Sequence, residues 1–388
     1  MKKNKMNNKK KSLVVTTVAS TLDQFCMNDI NTLQESYNVY VAANFNSGNN
    51  TSKERVNEFK SELQKKNIIL NEVNINRNPF NKSNISAYKK IKKLIEKNSF
   101  EIIHCHTPVA AMLVRLAARK VRKKGTRILY TAHGFHFYKG APIMNWLLYY
   151  PIEKWLSKYT DILITINRED FQRAKTSFKA KKVKYIPGVG IDVNRFEQIK
   201  VNSLVKRQEI GVSKDSFVIL SVGELNKNKN HETVIKALAK LNNSNVYYVI
   251  CGQGVLKDYL IKLIKELGLE TQIKLLGYRK DIGEICKVSD VFAFPSFREG
   301  LSVSLMEAMA SGLPVVCSDI RGNSDLIEDR KGGYLIKSND VTGYVDAIQR
   351  IYNNNSYKDS FGEFNKKAVE QFNIENVMSG MKKIYSEV

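Results

Sequence analysis

Short runs of β-branched and aromatic residues alternate along this chain with longer segments whose apolar positions recur every three to four residues. The runs SLVVTTV, NVYVAAN, FEIIHCH, TRILYTAH, TDILITI and KVKYIPG read as strands, ending near residue 187. Between them the periodicity predicts helices over roughly 22–36, 53–66, 84–98, 108–123 and 142–159. A charged stretch near 197–215 intervenes, and a second series follows: FVILSVG, VYYVICG, QIKLLGY, DVFAFPS, LPVVCSD and GGYLI. Its helices are expected near 231–242, 255–267, 302–311 and 341–353. Strands alternating with helices indicate an α/β fold with parallel sheets, and two consecutive sets suggest two Rossmann-like, doubly wound domains facing a cleft. Ligands of such sheets bind at the carboxyl ends of the strands. No solenoid-period repeat is present.

Composition adds three constraints. At 388 residues, 43% of them hydrophobic, the chain has material for two cores and is not a disordered polymer. Its formal charge of +24 would attract polyanions: nucleic acid, anionic lipid or phosphorylated small molecules. Solvated helix faces, or the Lys/Asn drift of an AT-rich genome, account for that charge equally well. Cys26, Cys105, Cys251, Cys286 and Cys317 are scattered with no metal or CxxC spacing, so free thiols and a reducing compartment are expected. The start, MKKNKMNNKKKSLVVTTVAS, imitates a signal peptide, but its apolar part is short and interrupted by Thr16 and Thr17. A basic tail over 1–11 is expected instead. No run approaches the roughly 18 apolar residues of a membrane span, which points to a cytoplasmic or peripherally attached protein.

The stretch FREGLSVSLMEAMASG, residues 297–312, carries the most chemistry. It follows DVFAFPS, so Glu299 and Gly300 fall at a strand's carboxyl end. Ser302 is a good N-cap for the helix VSLMEAMA. A helix start in that place presents free N–H groups and the positive end of its dipole, a seat for phosphate. Gly300 lets the backbone come close to a ligand, and Glu307, over a turn further on, could reach a polar group of the same ligand. The rival reading makes the two acids a glycosidase pair. Eight helical residues rise about 12 Å, whereas such pairs stand roughly 5–9.5 Å apart. The spacing suits one extended ligand better. Solvated acids at an ordinary helix start are the remaining reading.

With FREGLSVSLMEAMASGLPVV as its E-x7-E signature, the chain resembles glycosyltransferase family 4, the retaining transferases of GT-B fold. VGELNKNKNH, ICGQG, LLGYRKDI, IPGVGIDVNRF and TAHG fall in the family's order, so the resemblance covers nearly everything from about residue 12. HTPVAAMLVRLAAR and TAHGFHFYKGAP are similar to the bacterial capsule and exopolysaccharide branch. The resemblance implies an acceptor domain over 12–200, a nucleotide-sugar domain over 201–370, and a last helix within 371–388 that could pack back on the first. It further implies that Glu299 contacts the donor sugar, Glu307 holds the nucleotide ribose, and the backbone of Gly300, Leu301, Ser302 and Val303 meets the diphosphate. Lys229 matches the lysine that neutralises that diphosphate, whose charge grows as the glycosidic bond breaks. The family has an arginine after Gly223; this chain has Glu224, and Lys227 is the candidate substitute. Gly252 and Gly254 would line the nucleotide pocket, with Tyr278 and Arg279 beside the base. In the N-terminal loop, Ala19 and Ser20 replace a glycine pair common among relatives.

His133, in TAHG, matches the histidine that faces the donor sugar, although a lone histidine at a strand end is commonly structural. His104, His106 and His136 lie at neighbouring strand ends and loops; HxH on one strand face could begin a metal site, but no nearby carboxylate or cysteine set is visible to complete it. No metal and no cofactor beyond the UDP-sugar substrate are expected. Residues 82–127 hold thirteen Lys or Arg against Glu96 and Glu101, and 142–159 adds Trp146, Leu147, Leu148, Tyr149, Tyr150 and Trp155. Positive charge beside aromatics suits an anionic membrane surface where a lipid-linked saccharide acceptor resides; packed helices with solvated lysines are the other reading. The expected activity is sugar transfer from a nucleoside diphosphate, UDP foremost, to a polyprenyl-diphosphate-linked saccharide at the inner face of the plasma membrane. Two alternatives stand beside it, a UDP-sugar 2-epimerase of the same fold and a basic nucleic-acid-binding protein. The second leaves E-x7-E and GQG unexplained, so nucleic acid is not expected as a partner.

Overall fold

The apolar runs become strands that neighbours cover on both faces, as parallel sheets require. The computed structural model describes residues 9–388. The first sheet contains β1 (Lys10–Val18), β2 (Tyr37–Asn44), β3 (Ile69–Glu72), β4 (Ile102–His106), β5 (Arg127–Ala132), β6 (Ile162–Thr165) and β7 (Lys182–Tyr185). Their order is β3-β2-β1-β4-β5-β6-β7, with neighbouring strands parallel. The second contains β8 (Phe217–Val222), β9 (Val246–Cys251), β10 (Ile273–Gly277), β11 (Val291–Phe294), β12 (Val315–Ser318) and β13 (Gly333–Ile336), in the order β10-β9-β8-β11-β12-β13. In each sheet the strand order reverses at one place, between β1 and β4 and between β8 and β11. Those switch points are where doubly wound sheets bind ligands.

Period-two alternation divides each sheet between two cores. On β1, Leu13 and Val15 enter one apolar cluster while Val14 enters the other. On β8, Val218 and Leu220 face one cluster and Ile219 the opposite one. All five cysteines are buried free thiols; Cys105, Cys251 and Cys317 lie on β4, β9 and β12, where cysteine packs as a small hydrophobe.

The chain divides into two compact units, one running to Val189 and taking up Glu375–Val388, the other spanning Gly190–Ile374. The final helix, Ile374–Ser386, thus serves the first unit, burying Val377, Met381, Ile384 and Tyr385. Several expectations need correction. The basic tail ends sooner than residue 11, because Lys10 and Lys11 already pair with Tyr37 and Asn38 in β1; residues 1–8 of that tail lie outside the described residues. The segment 22–36 is a π-helical turn, Leu22–Cys26, followed by the helix Met27–Gln34. The periodic pattern had not separated the two. Strand β3 was not foreseen: it is a half-exposed edge strand whose apolar residues, Ile69 and Leu70, give way at once to Asn71 and Glu72. The helices Arg168–Ser177 and Asn355–Val369 also escaped, both rich in polar residues.

Candidate active site

In the second unit the loops that leave β8 and β11 are tied to each other at the switch point. Phe297 N donates to Asn228 O at 2.8 Å, Asn228 Nδ2 to Arg298 O at 2.9 Å, and Asn230 Nδ2 to Pro295 O at 3.1 Å. The stitched loops bring Lys229 Nζ to 2.7 Å from Glu299 Oε1, and both side chains are largely buried. The ammonium also sits 4.5 Å from the centre of the Phe294 ring. Gly223 makes room for this: a Cβ there would stand 3.1 Å from Lys229 Cδ and Cε. The two residues assigned from sequence to sugar and diphosphate therefore form one ion pair. Removing either leaves a desolvated charge behind.

Directly after Glu299, the helix Val303–Ala310 starts as expected. Ser302 Oγ accepts from Leu305 N at 3.4 Å, and Ser304 Oγ reaches back to Val222 O, the end of β8, at 3.2 Å. The first-turn N–H groups have no intrahelical partners and stand beside the carboxyl end of β8 with Gly300, Leu301 and Val303. Burial lifts the Glu307 carboxyl to about 7, opposed by the Arg195 guanidinium. Arg195 comes from a short helix, Val193–Gln198; its approach to Glu307 was not read from sequence.

Gly252 and Gly254 have a role in chain packing that precedes any ligand. A Cβ on Gly252 would lie 1.8 Å from Gly223 O, and one on Gly254 2.4 Å from Leu225 O. Backbone bonds from Gly223 N to Cys251 O and from Leu225 N to Gln253 O, each 2.9 Å, zip the two loops together. The GQG sequence so anchors the base of the Lys229 loop. Tyr278 is exposed, while Arg279 is held by Asp281 and Glu209. Glu224 and Lys227 are both exposed on the β8 loop, and Lys227 forms no ion pair among the described residues.

In the first unit, His133 follows β5 and is half-buried, its Nε2 3.1 Å from His106 Nδ1. His104 and His106 share one face of β4, with ring centroids 4.1 Å apart. The carboxylate that seemed missing beside them is Asp29, from the helix Met27–Gln34: its Oδ2 is 3.7 Å from His106 Nε2. Donor atoms of Asp29, His104 and His106 lie within 4.8 Å of one another. The expectation that no carboxylate accompanies the HxH pair is therefore corrected. Yet His104 spends both nitrogens on hydroxyls, Nδ1 on Tyr385 at 2.7 Å and Nε2 on Thr131 at 2.8 Å. A cation would find two uncommitted donors, short of the three or four that zinc takes. The contacts describe a hydrogen-bonded network. Burial pushes His104 down to about 3 and His133 to about 4, and drives His106 well below its usual range. Burial also lifts Asp29 to about 7 against a hydrogen bond from Tyr385. His136 stands apart, its ring 4.8 Å from that of Tyr149.

Asp29 and Tyr385 were not singled out in the sequence. Asp29 lies beside Ile30 and Leu33, buried on its helix, and one turn after the buried Cys26 of the π-turn, and a carboxylate among such residues is the signal that could have marked it.

The aromatic helix Ile143–Ser157 also needs correction. Trp146, Tyr149 and Tyr150 pack against the core around Phe137. Leu147 and Trp155 are exposed as expected, and the residues that share the surface with them are Ile143 and Met144. Among the described residues no helix is long and apolar enough to cross a membrane.

Residues 203–368 match the family described as Glycosyl transferases group 1, and residues 17–167 the one described as Glycosyl transferase 4-like. EpsD of Bacillus subtilis, named as a glycosyltransferase, is 39% identical over 316 residues, 80% of this chain and 83% of that protein. The UDP-Gal:alpha-D-GlcNAc-diphosphoundecaprenol alpha-1,3-galactosyltransferase of Escherichia coli is 30% identical over 318 residues, 79% of this chain and 81% of the relative. Among solved structures, HepE of Anabaena in complex with UDP and glucose superposes with a TM-score of 0.78 at 20% identity, covering 98% of this chain and 100% of that one. The sucrose-phosphate synthase of Thermosynechococcus elongatus does so with 0.77 at 16% identity, covering 97% and 99%. Both likenesses concern the fold.

Proposed function

The chain belongs to the group 1 glycosyl transferases, and on that premise we propose that it moves a sugar from UDP to a saccharide carried on a polyprenyl diphosphate, with retention at the anomeric carbon. The GT-B fold and the glycosyltransferase class belong to the family; donor, acceptor and stereochemistry are the proposal. The observation that carries it is the buried Lys229–Glu299 pair of 2.7 Å at the β8/β11 switch point, beside a helix N-terminus. A cation and first-turn N–H groups in one place suit a leaving diphosphate.

In this reading Lys229 leaves Glu299 for the diphosphate oxygens as charge develops on them. Glu299 is released toward the sugar, where it orients hydroxyls. The backbone of Gly300 to Val303 meets the phosphates, and Glu307 accepts from the ribose hydroxyls. His133 is assigned to the donor sugar. No side chain is assigned as a covalent nucleophile: the acceptor hydroxyl attacks on the face the diphosphate leaves and gives its proton to a phosphate oxygen. No metal enters the scheme.

The acceptor assignment is supported by the Escherichia coli relative, whose name is that of a transferase acting on a diphosphoundecaprenol-linked sugar. Capsular or extracellular polysaccharide synthesis is the proposed context. We place the first unit against the anionic inner face of the membrane, through the exposed Ile143, Met144, Leu147 and Trp155 and the lysines around them.

A panel of nucleotide sugars screened by thermal shift tests the donor. A ligand at 100 times its dissociation constant stabilises by about 2.7 kcal/mol. Failure of every UDP-sugar to raise the melting temperature would overturn the assignment. Product analysis by NMR then reads the anomer, and an isomerised donor formed without acceptor would favour the epimerase.

A further inference from the structure

Three imidazoles, a carboxylate and a phenol lie in one buried file in the first unit, and most of them have no part in the scheme above. Its order follows from the distances. Tyr385 hydrogen-bonds Asp29 and stands 2.7 Å from His104 Nδ1. Asp29 Oδ2 is 3.7 Å from His106 Nε2, and His106 Nδ1 is 3.1 Å from His133 Nε2. His106 is wholly buried, and its Nε2 is a buried nitrogen without a hydrogen-bond partner. Such an atom costs stability unless something uses it. His133 stands at the outer end and, with Asp29, Thr131 and Phe25, lines a small cleft of about 20 Å³. Among the described residues, its Nδ1 takes no hydrogen bond.

We propose that Asp29 and His106 are positioning residues acting through His133: they set which ring nitrogen of His133 holds the proton, and so whether it offers the donor sugar a lone pair or an N–H. The proposal rests on the assignment of His133 to the donor sugar. Neutral imidazole is a donor at one nitrogen and an acceptor at the other, so partners in a row fix one another's tautomers. With Asp29 ionised, His106 carries its proton on Nε2, toward the carboxylate. His106 Nδ1 then accepts from His133 Nε2–H, and His133 Nδ1 shows a lone pair. When one proton arrives from solvent at His133 Nδ1, the Nε2 proton passes to His106 Nδ1 and the His106 Nε2 proton passes to Asp29. One proton has entered, one carboxylate has been neutralised, and both imidazoles remain neutral with their tautomers reversed. His133 is now a donor at Nδ1. The step needs His106 Nε2 and Asp29 to close by roughly 0.7 Å to hydrogen-bond length.

Burial favours this route. It holds His106 and His133 neutral far below pH 6 while lifting the Asp29 carboxyl to about 7, so the first proton to enter the file near neutrality settles on Asp29. Among the described residues, the titratable groups facing Asp29 are in the file or beside it: Cys26 on the adjoining turn, Tyr385 from the last helix, His104 and His106 from β4, and His133 across the cleft. The Cys26 thiol is pushed well up by burial and does not compete near neutrality.

The test is the tautomer of His133, read by long-range proton–nitrogen correlation spectra of the full chain labelled at histidine nitrogen. Only five histidines contribute, and loss of one pattern in His133→Gln assigns the signal. The expected result is the Nε2–H form at pH 8.5, the Nδ1–H form at pH 5.5 and a midpoint near 7, with no imidazolium shift. An isosteric Asp29→Asn variant, checked for folding by its melting curve, should abolish the transition. A His133 that keeps one tautomer across this range, or simply becomes imidazolium, overturns the relay whatever the kinetics. The Glu307 carboxyl, also raised to about 7, contributes equally to both proteins, so the pH dependence of the donor KM across the same midpoint should differ between the wild type and Asp29→Asn. A tautomer that switches while the two proteins share one pH dependence of the donor KM overturns the placement of His133 at the sugar instead.

Discussion

Glu307 offers a quantitative test of where the nucleotide sits. Its carboxyl is pushed up to about 7 by burial, against the pull of Arg195, so half of the free protein carries it protonated at neutral pH. Ribose hydroxyls donate to a carboxylate, and the ionised form offers both oxygens to two donors, whereas protonation turns one of those oxygens into a competing O–H donor. Binding therefore draws on the ionised fraction, and the apparent dissociation constant scales as one plus ten to the power of (7 − pH). That factor is about 11 at pH 6 and about 1.1 at pH 8, a tenfold tightening worth about 1.4 kcal/mol. The sign follows from linkage: a raised carboxyl must lose a proton to bind, so affinity rises with pH through the folded value and levels off above it. Titration calorimetry in two buffers of different ionisation heat should find about half a proton released at pH 7. The second ionisation of UDP itself, near pH 6, contributes equally to wild type and Glu307→Gln, so the difference between them isolates the carboxyl. Equal proton release and equal pH dependence in the two proteins would refute the placement of Glu307 at the ribose.

Lys229→Ala should weaken UDP binding by roughly 10- to 150-fold, since a charge-assisted hydrogen bond is worth about 1.5–3 kcal/mol. Glu299→Gln should nearly abolish transfer yet leave UDP affinity equal or higher, because Lys229 is freed from its 2.7 Å partner; weaker UDP binding in that variant contradicts the pairing. Gly252→Ala, whose Cβ would stand 1.8 Å from Gly223 O, should cost about 1–3 kcal/mol and lower the melting temperature of the second unit by several degrees; an unchanged melting curve would show that the loops separate freely. In the first unit, burial depresses His104, His106 and His133, so their contribution to stability is present above about pH 6.5 and lost as pH falls toward their folded values. Asp29, raised, opposes them with one proton against three, so differential scanning calorimetry should show that unit's melting temperature falling from pH 6.5 to 5; a rise over that interval contradicts the buried network. Leu147→Ser with Trp155→Ser should release a chain lacking residues 1–8, which leaves β1 whole, from anionic vesicles while UDP binding persists, and retention on the vesicles would assign that face another role.

The two sheets were legible because strands covered on both faces are written as nearly unbroken apolar runs, and their switch points then follow from strand order alone. The site of the second unit was legible for a related reason. Glu299, Ser302 and Glu307 lie within nine consecutive residues, where a strand end and a helix start can be read directly. Lys229 stands 70 positions from Glu299, and only the resemblance joined them; no local pattern announces that the two side chains touch. The network of the first unit was illegible in part. His104 and His106 display their common face by their spacing, but Tyr385 reaches His104 across 281 positions. Asp29 sits in a segment whose single helical period concealed a π-turn. In the helix Ile143–Ser157 the information was present and misjudged. Trp146, Tyr149 and Tyr150 have the spacing of one helical face, and that face turned inward.

The return of the last helix to the first unit has a bearing on how the protein is made. The second unit is one uninterrupted stretch, Gly190–Ile374, and has every residue of its sheet once the ribosome has passed that point. The first unit, though synthesised earlier, lacks Val377, Met381, Ile384 and Tyr385 from its core until the helix Ile374–Ser386 has been made. Domains generally fold in the order of their synthesis; here that order is inverted for completion. A nascent first unit must hold an uncovered apolar face through the translation of almost two hundred further residues, which makes it the part most exposed to chaperones and to aggregation. Synonymous changes that slow elongation over the second unit lengthen that interval. Their effect on soluble yield would fall on the half of the molecule whose own codons are untouched.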